Sequence, residues 1–178
     1  MTPEAQAYDR HKNLKLASAE LGMKWQTLYC RLKSQGVQVT GDKLRYGGDR
    51  DRLGALGEGL FKSLVPESFD NNSTKFQSKV DFDVNGKKVD IKTGLPRQLN
   101  KRFKAQSWSF SFKKQSLVAD FVVCFCLNEE KEIEHILLVP SEFFSGLQTI
   151  SVSRNGNSKW LDYKIDEKDL ASFFSELQ

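Results

Sequence analysis

The segment VDFDVNGKKVDIKTG, residues 80–94, sets Asp81, Asp83, Asp90 and Lys92 into a stretch that otherwise reads as a β-hairpin. Asn85-Gly86 at its centre is a strong hairpin signal, because a type I′ turn needs positive φ at both central positions. With a two-residue turn, Val84 pairs with Lys87, Phe82 faces Val89 and Val80 faces Ile91, giving one apolar face. On the other face Asp83 opposes Lys88, and Asp81 opposes Asp90. Opposed Cβ atoms lie ~4.5–5.5 Å apart, where like charges destabilise the ladder. Two carboxylates that close call for a cation or a shared proton. A divalent metal with hard oxygen ligands fits. Lys92, two residues beyond Asp90 on the same face, reaches the same volume. A four-residue turn would instead set Asp83 against Asp90 and would keep the apolar face, so patterning does not choose between them. The competing reading is an ordinary exposed sheet face with salt bridges.

A second candidate is Glu58 in GALGEGLF, flanked by Gly54, Gly57 and Gly59. An interior helical glycine costs on the order of 1 kcal/mol relative to alanine. Three of them predict close backbone approach on that side, to a strand or to a phosphate backbone. Close helix packing with Glu58 merely solvated is the alternative.

These residues need elements to hold them. The helical period predicts two short helices in residues 13–35 and a longer one over DRDRLGALGEGLFKSLV, with Leu53, Leu56, Leu60 and Leu64 on one stripe. GVQVTGDKLRYGG reads as a small hairpin turning at Gly41-Asp42. PESFDNNSTKF reads as loop, and PRQLNKRFKAQ as a basic turn or short helix. SWSFSF alternates, with Trp108, Phe110 and Phe112 on one side. ADFVVCFCL is a continuous apolar run, as expected of a central strand buried on both faces. EHILLVP predicts another strand and SEFFSGL a short helix. TISVSRNGNSKWLDYKI predicts a hairpin about Asn155-Gly156, and DEKDLASFFSELQ a closing amphipathic helix. The expected class is α/β (α+β), a mixed central β-sheet flanked by helices. Gly47-Gly48 is the best boundary, separating a helical module, 1–46, from the main domain, 47–178.

The chain has 178 residues, 39% hydrophobic and 28% charged, enough for a real core. No apolar run approaches the ~20 residues of a membrane span. The opening MTPEAQAYDRHKN has no apolar segment of a secretory signal, so an intracellular, cytoplasmic protein is expected. Cys124 and Cys126 alternate within an apolar run and read as buried free thiols, and Cys30 leaves an odd count. His11 and His135 fit no catalytic pattern. The net charge of +4 is uneven: residues 1–50 carry 9 Lys/Arg against 5 Asp/Glu, residues 75–115 carry 11 against 3, and residues 116–178 carry 5 against 11. Two basic blocks beside a carboxylate cluster predict a polyanionic partner.

Taken in order, a helical Glu58, then Asp81 in VDFDV, then Asp90-Ile91-Lys92, the set resembles the PD-(D/E)XK nuclease superfamily of restriction enzymes, junction resolvases and some homing endonucleases. The resemblance spans roughly residues 50–127 and departs from the common pattern in having Val80 rather than proline before Asp81. It implies a restriction-endonuclease-like core. It also implies Asp81 and Asp90 as ligands of Mg²⁺, for which Mn²⁺ substitutes, and Glu58 as a ligand of the metal or of a metal-bound water. Lys92 would orient the attacking water or stabilise transition-state charge. Arg97, Lys101, Arg102, Lys104, Lys113 and Lys114 would carry the phosphate backbone, and Gln106 is expected near the site.

LASAELGMKWQTLYCRLK resembles a helix-turn-helix. Ala17 and Ser18 are small at the crossing, Gly22 supplies the turn, and Met23 and Leu28 are core. The second helix would offer Lys24, Gln26, Thr27 and Arg31 to the major groove. Trp25 is expected in the core, and Tyr29 is free to touch phosphate. Lys43 and Arg45 would sit in a small wing. The expectation is therefore a metal-dependent endonuclease acting on double-stranded DNA, sequence-directed in the manner of homing or restriction enzymes, with a homodimer allowed and no membrane partner. A non-catalytic DNA-binding regulator on the same scaffold and a Holliday junction resolvase are the alternatives.

Overall fold

A computed structural model of the chain describes all residues except 38, 40–46, 74–78, 99–104, 113–117 and 178. The hairpin at Gly41-Asp42 with Lys43 and Arg45, and the basic residues Lys101, Arg102, Lys104, Lys113 and Lys114, lie outside the described residues. The chain forms two compact units, Met1–Arg52 and Leu53–Gln178.

The first unit is helical: α1 (Pro3–His11), α2 (Leu14–Glu20) and α3 (Trp25–Ser34). The sequence reading left α1 out, although its start carries clear local signals. Thr2 caps the helix, accepting from the Ala5 N–H at 3.3 Å, and Pro3 occupies the first turn, where a missing N–H costs nothing. Asn13 caps α2 in the same way, accepting from the Leu16 N–H at 3.0 Å. Gly22, with φ +63°, turns the chain between α2 and α3. Ala5, Ala7, Tyr8, Ala17, Leu28 and Leu32 form the core, with Met23 packed against it. Ala17 and Ser18 are both buried, as small residues at a helix crossing should be.

In the second unit, a six-stranded mixed sheet has the order β1-β2-β3-β6-β7-β9: β1 (Phe69–Asp70), β2 (Phe82–Val84), β3 (Lys87–Gly94), β6 (Phe121–Leu127), β7 (Ile133–Pro140) and β9 (Lys164–Ile165). Only the β3–β6 pair is parallel. A three-stranded antiparallel sheet has the order β4-β5-β8: β4 (Arg97–Gln98), β5 (Gln106–Ser111) and β8 (Thr149–Ser153). Helices α4 (Asp49–Leu64) and α5 (Glu167–Glu176) complete the fold.

The period-2 geometry of β6 explains the architecture. Val123, Phe125 and Leu127 join Phe61 and Val65 from α4 and its end, and Leu170 and Phe174 of α5, in one core. Val122, Cys124 and Cys126 join Trp108, Phe110, Ile150 and Val152 in the other. A strand buried on both faces must be apolar at every position, which is why this run shows no alternation. The helices cover one face of the large sheet, and the small sheet covers the opposite one. The Leu53, Leu56, Leu60 and Leu64 stripe packs on the helical side as its spacing predicts.

Three local expectations are corrected. Residues 149–165 are not a hairpin: β8 pairs with β5 in the small sheet, while β9 pairs with β7 in the large one. Between them lies a 3-10 turn, Lys159–Tyr163, carrying buried Trp160. Burial of that indole in the second core draws the chain from one sheet to the other. Arg97–Gln98 is a short strand paired with β5 rather than a turn or helix. Phe69–Asp70, read as loop, adds to β2 as an edge strand, followed by a 3-10 turn over Asn71–Ser73.

Candidate active site

Asn85 and Gly86 have φ of 47° and 78°, the positive pair a type I′ turn demands. The register is therefore that of a two-residue turn, with Val84 opposite Lys87, Asp83 opposite Lys88 and Phe82 opposite Val89. Asp83 is thus aligned with a lysine, not with Asp90.

One residue further, the ladder breaks. The Asp81 N–H donates to the Val89 carbonyl at 3.1 Å, one position out of register with the Phe82–Val89 pair. Such a bulge bends the strand and re-aims a side chain. The Asp81 carboxylate takes over the lost ladder contact: its Oδ2 accepts from the Ile91 N–H at 2.7 Å, and its Oδ1 accepts from Asn72 Nδ2 at 3.3 Å. The 3-10 turn holds the same residue by its backbone, through the Asn71 N–H and the Asp81 carbonyl at 2.9 Å. Asp81 is thereby oriented from two sides.

The bulge replaces the expected direct opposition of Asp81 and Asp90, yet the Asp81 carboxylate stays close enough to act on Asp90, which is 6% exposed. Its Oδ2 sits 2.5 Å from Lys92 Nζ and, apart from that ion pair, is buried with no hydrogen-bond partner among the described residues. Burial raises the Asp90 carboxyl from 3.8 to about 6; Lys92 opposes the rise, and the Asp81 carboxylate adds to it. The floor explains the strength of the burial effect. In the parallel β3–β6 ladder Asp90 is aligned with Val122 and Lys92 with Cys124, so both stand on the side of the sheet that carries the second core. Burial also pushes the Cys124 thiol well up, which leaves it an inert packing group.

Glu58 is half-buried on α4. Its neighbour Gly57 explains the glycine signal: a Cβ there would meet Thr93 Oγ1 at 1.7 Å and Thr93 Cβ at 3.0 Å. Helix α4 thus lies directly on β3, while nothing stands within 4 Å of a Cβ built at Gly54 or Gly59. Among the described residues no three His, Cys, Asp or Glu side chains converge as a metal cage. The close cluster is Asp81, Asp90 and Lys92. Sequence reasoning missed Asn72, whose only signal is the turn-prone FDNN run.

Gln106, expected near the site, is instead engaged elsewhere. It accepts from Arg154 at 2.6 Å and donates to Glu129 at 3.2 Å, in a network where Arg154 also binds Glu134 at 2.9 Å. His135 packs edge-on against Trp108 with centroids 5.6 Å apart, and His11 contacts Glu20 at 2.6 Å. Cys124 and Cys126 are buried free thiols and Cys30 is exposed.

In the helical unit, Lys24, Gln26, Thr27 and Arg31 are all exposed. Arg31 also pairs with Glu4 at 2.9 Å. Trp25 corrects its expected place in the core: it is 43% exposed, because Leu28 and Leu32 already fill the inward stripe of α3. Of the basic segment, Arg97 is exposed on β4. Among the described residues no helix is long and apolar enough to cross a membrane.

No family model matches the chain, and no curated protein matches it. Among solved structures it is similar to a bacterial homing endonuclease, I-Ssp6803I, at 14% identity and a TM-score of 0.47, over 72% of this chain and 94% of that one.

Proposed function

We propose that the chain is a metal-dependent endonuclease that hydrolyses phosphodiester bonds in double-stranded DNA, directed to its site by the helical unit. The observation that carries this reading is the buried Asp90 Oδ2, which has an ion pair but no hydrogen bond, beside a second, pre-oriented carboxylate. A second carboxylate beside a buried one is costly; the Lys92 ammonium offsets only one of the two charges, and a divalent cation is the partner whose chemistry relieves the rest. Two carboxylates suit Mg²⁺, which is commonly held by one or two carboxylates and completed by water and substrate phosphate. Asp81 and Asp90 are the proposed direct ligands, with Glu58 a proposed ligand of the metal or of a metal-bound water and Mn²⁺ accepted in place of Mg²⁺. A bound divalent cation supplies charge against the phosphate and acidifies water.

The chain's own residues do the rest. The Ile91 N–H and Asn72 hold Asp81 at a fixed angle. The Lys92 ammonium, 26% exposed beside Asp90, is available to a phosphate oxygen and stabilises charge that develops in the transition state. Val122 and Cys124 beneath the pair lower the local dielectric and strengthen each of these interactions. Lys24, Gln26, Thr27 and Arg31 are the proposed DNA contacts of α3, and Lys101, Arg102 and Lys104 the proposed backbone contacts of the main domain.

Incubation with diverse plasmid and genomic DNA and Mg²⁺ tests the reading. Cleavage abolished by EDTA, and lost in Asp90→Ala and Lys92→Ala with DNA binding retained, is the expected result. Cutting at full rate by Asp90→Ala overturns the site. Cleavage confined to four-way junctions would make it a resolvase, and binding without cleavage on any substrate a regulator.

A further inference from the structure

Helix α3 presents two aromatic rings to solvent. Trp25 is 43% and Tyr29 40% exposed, whereas the other two tryptophans, Trp108 and Trp160, are 0% and 7% exposed. At 3.6 residues per turn, Trp25, Tyr29 and Lys33 fall on one line, at i, i+4 and i+8. Leu28 and Leu32 face the core. Lys24 and Arg31 lie along the other border of the exposed face, with Gln26 and Thr27 between the borders.

Charge indicates what covers such a face. Trp25–Ser34 contains no acidic residue. The acidic side chains of α1 and α2 are already matched: Glu4 by Arg31, Asp9 by Lys12 at 2.5 Å, and Glu20 by His11 at 2.6 Å. Lys24 and Lys33 have no ion-pair partner among the described residues. An aromatic line beside unneutralised cations fits a polyanion that also offers flat apolar surface. Duplex DNA combines the two, in its phosphates and in the thymine methyls and base edges of the major groove.

We infer that Trp25 and Tyr29 are the apolar anchor of α3 on DNA, making non-electrostatic contact with bases while the neighbouring cations contact phosphate. This rests on the DNA-binding reading of α3 and adds residues of a different chemistry to it. The division of labour separates the two in measurement. Removing a cation shallows the dependence of affinity on salt; removing a ring weakens affinity and leaves the slope alone.

Because Trp25 is the one well-exposed tryptophan, the intact protein carries its own probe. A mixed-sequence duplex two helical turns long is titrated across a salt series, with binding read independently by anisotropy of labelled DNA. The inference expects quenching of tryptophan emission on binding, lost in Trp25→Phe. Trp25→Ala with Tyr29→Ala should lower affinity roughly tenfold through lost apolar burial with an unchanged salt slope, while Lys24→Ala with Lys33→Ala flattens the slope. Emission of the two buried indoles verifies that each variant is folded. Duplex binding with unaltered Trp25 emission, or with parental affinity in the double aromatic variant, overturns the inference and leaves the DNA reading standing. No anisotropy change at low salt removes the DNA reading and this inference with it. Emission that shifts with protein concentration alone assigns the face to a second copy of this chain instead, and also overturns the inference.

Discussion

Replacing Asp90 by asparagine should make the protein more stable at neutral pH, and the size of the gain follows from its surroundings. The carboxyl rises from 3.8 to about 6, by burial first and then by Asp81, against the pull of Lys92. A raised carboxyl binds its proton more tightly in the folded chain than in the unfolded one. Between pH 4 and 6 the folded state therefore holds the extra proton, and stability contributed by this group falls as pH rises through that window. The gap of about two units is worth roughly 3 kcal/mol at ~1.4 kcal/mol per unit. Asparagine has the shape of the acid without the titration, so its stability lacks this term. The acids with lowered carboxyls, such as Glu4, Asp9 and Glu20, tilt stability the opposite way, but they do so equally in both proteins. The difference between variant and parent is thus the clean quantity. It should grow by up to ~3 kcal/mol from pH 4 to pH 7, which is roughly 6–12 °C in melting temperature for a protein of this size. Thermal and urea melts at several pH values measure it. Under the proposed function, Mg²⁺ should narrow the gap by stabilising the parent alone. Parallel pH profiles for the two proteins would refute the account of Asp90, whatever the function.

Two further perturbations probe the supports of the same site. Gly57→Ala forces a Cβ onto Thr93 and should cost ~1–3 kcal/mol by overpacking, part of which Thr93→Ala in the same chain recovers; urea melts without any cost would mean that α4 does not lie on β3 as described. Asn72→Ala removes one of the two groups orienting Asp81 and should weaken Mn²⁺ binding roughly 10–100-fold with little change in melting temperature, as read by calorimetry, whereas unchanged affinity would leave Asn72 a loop residue only.

Much of the fold was legible because its causes are local. Asn85-Gly86 can adopt the positive φ pair that a two-residue turn needs, and that turn alone aligns Phe82 with Val89. The β6 run is apolar at every position, the pattern of a strand covered on both faces. The alternation of Trp108 and Phe110, the α4 leucine stripe and the amphipathic α5 likewise depend only on the period of each element.

What the sequence left open depends on residues far apart in the chain. Asn155-Gly156 is as good a hairpin signal as Asn85-Gly86, yet β8 and β9 part into different sheets, because Trp160 finds its burial in a core built from β5 to β8. The residues from Trp25 onward carry a helical pattern, but only the completed three-helix core decides that Leu28 and Leu32 exhaust its inward space and leave Trp25 outside. Asp81 and Asp90 could be placed on adjoining strands from their spacing. The bulge that turns Asp81 toward the Ile91 N–H, the support from Asn72 and the apolar floor beneath Asp90 could not. A carboxyl's ionisation is set by the sum of everything that excludes water from it, and that sum exists only once distant segments have packed together.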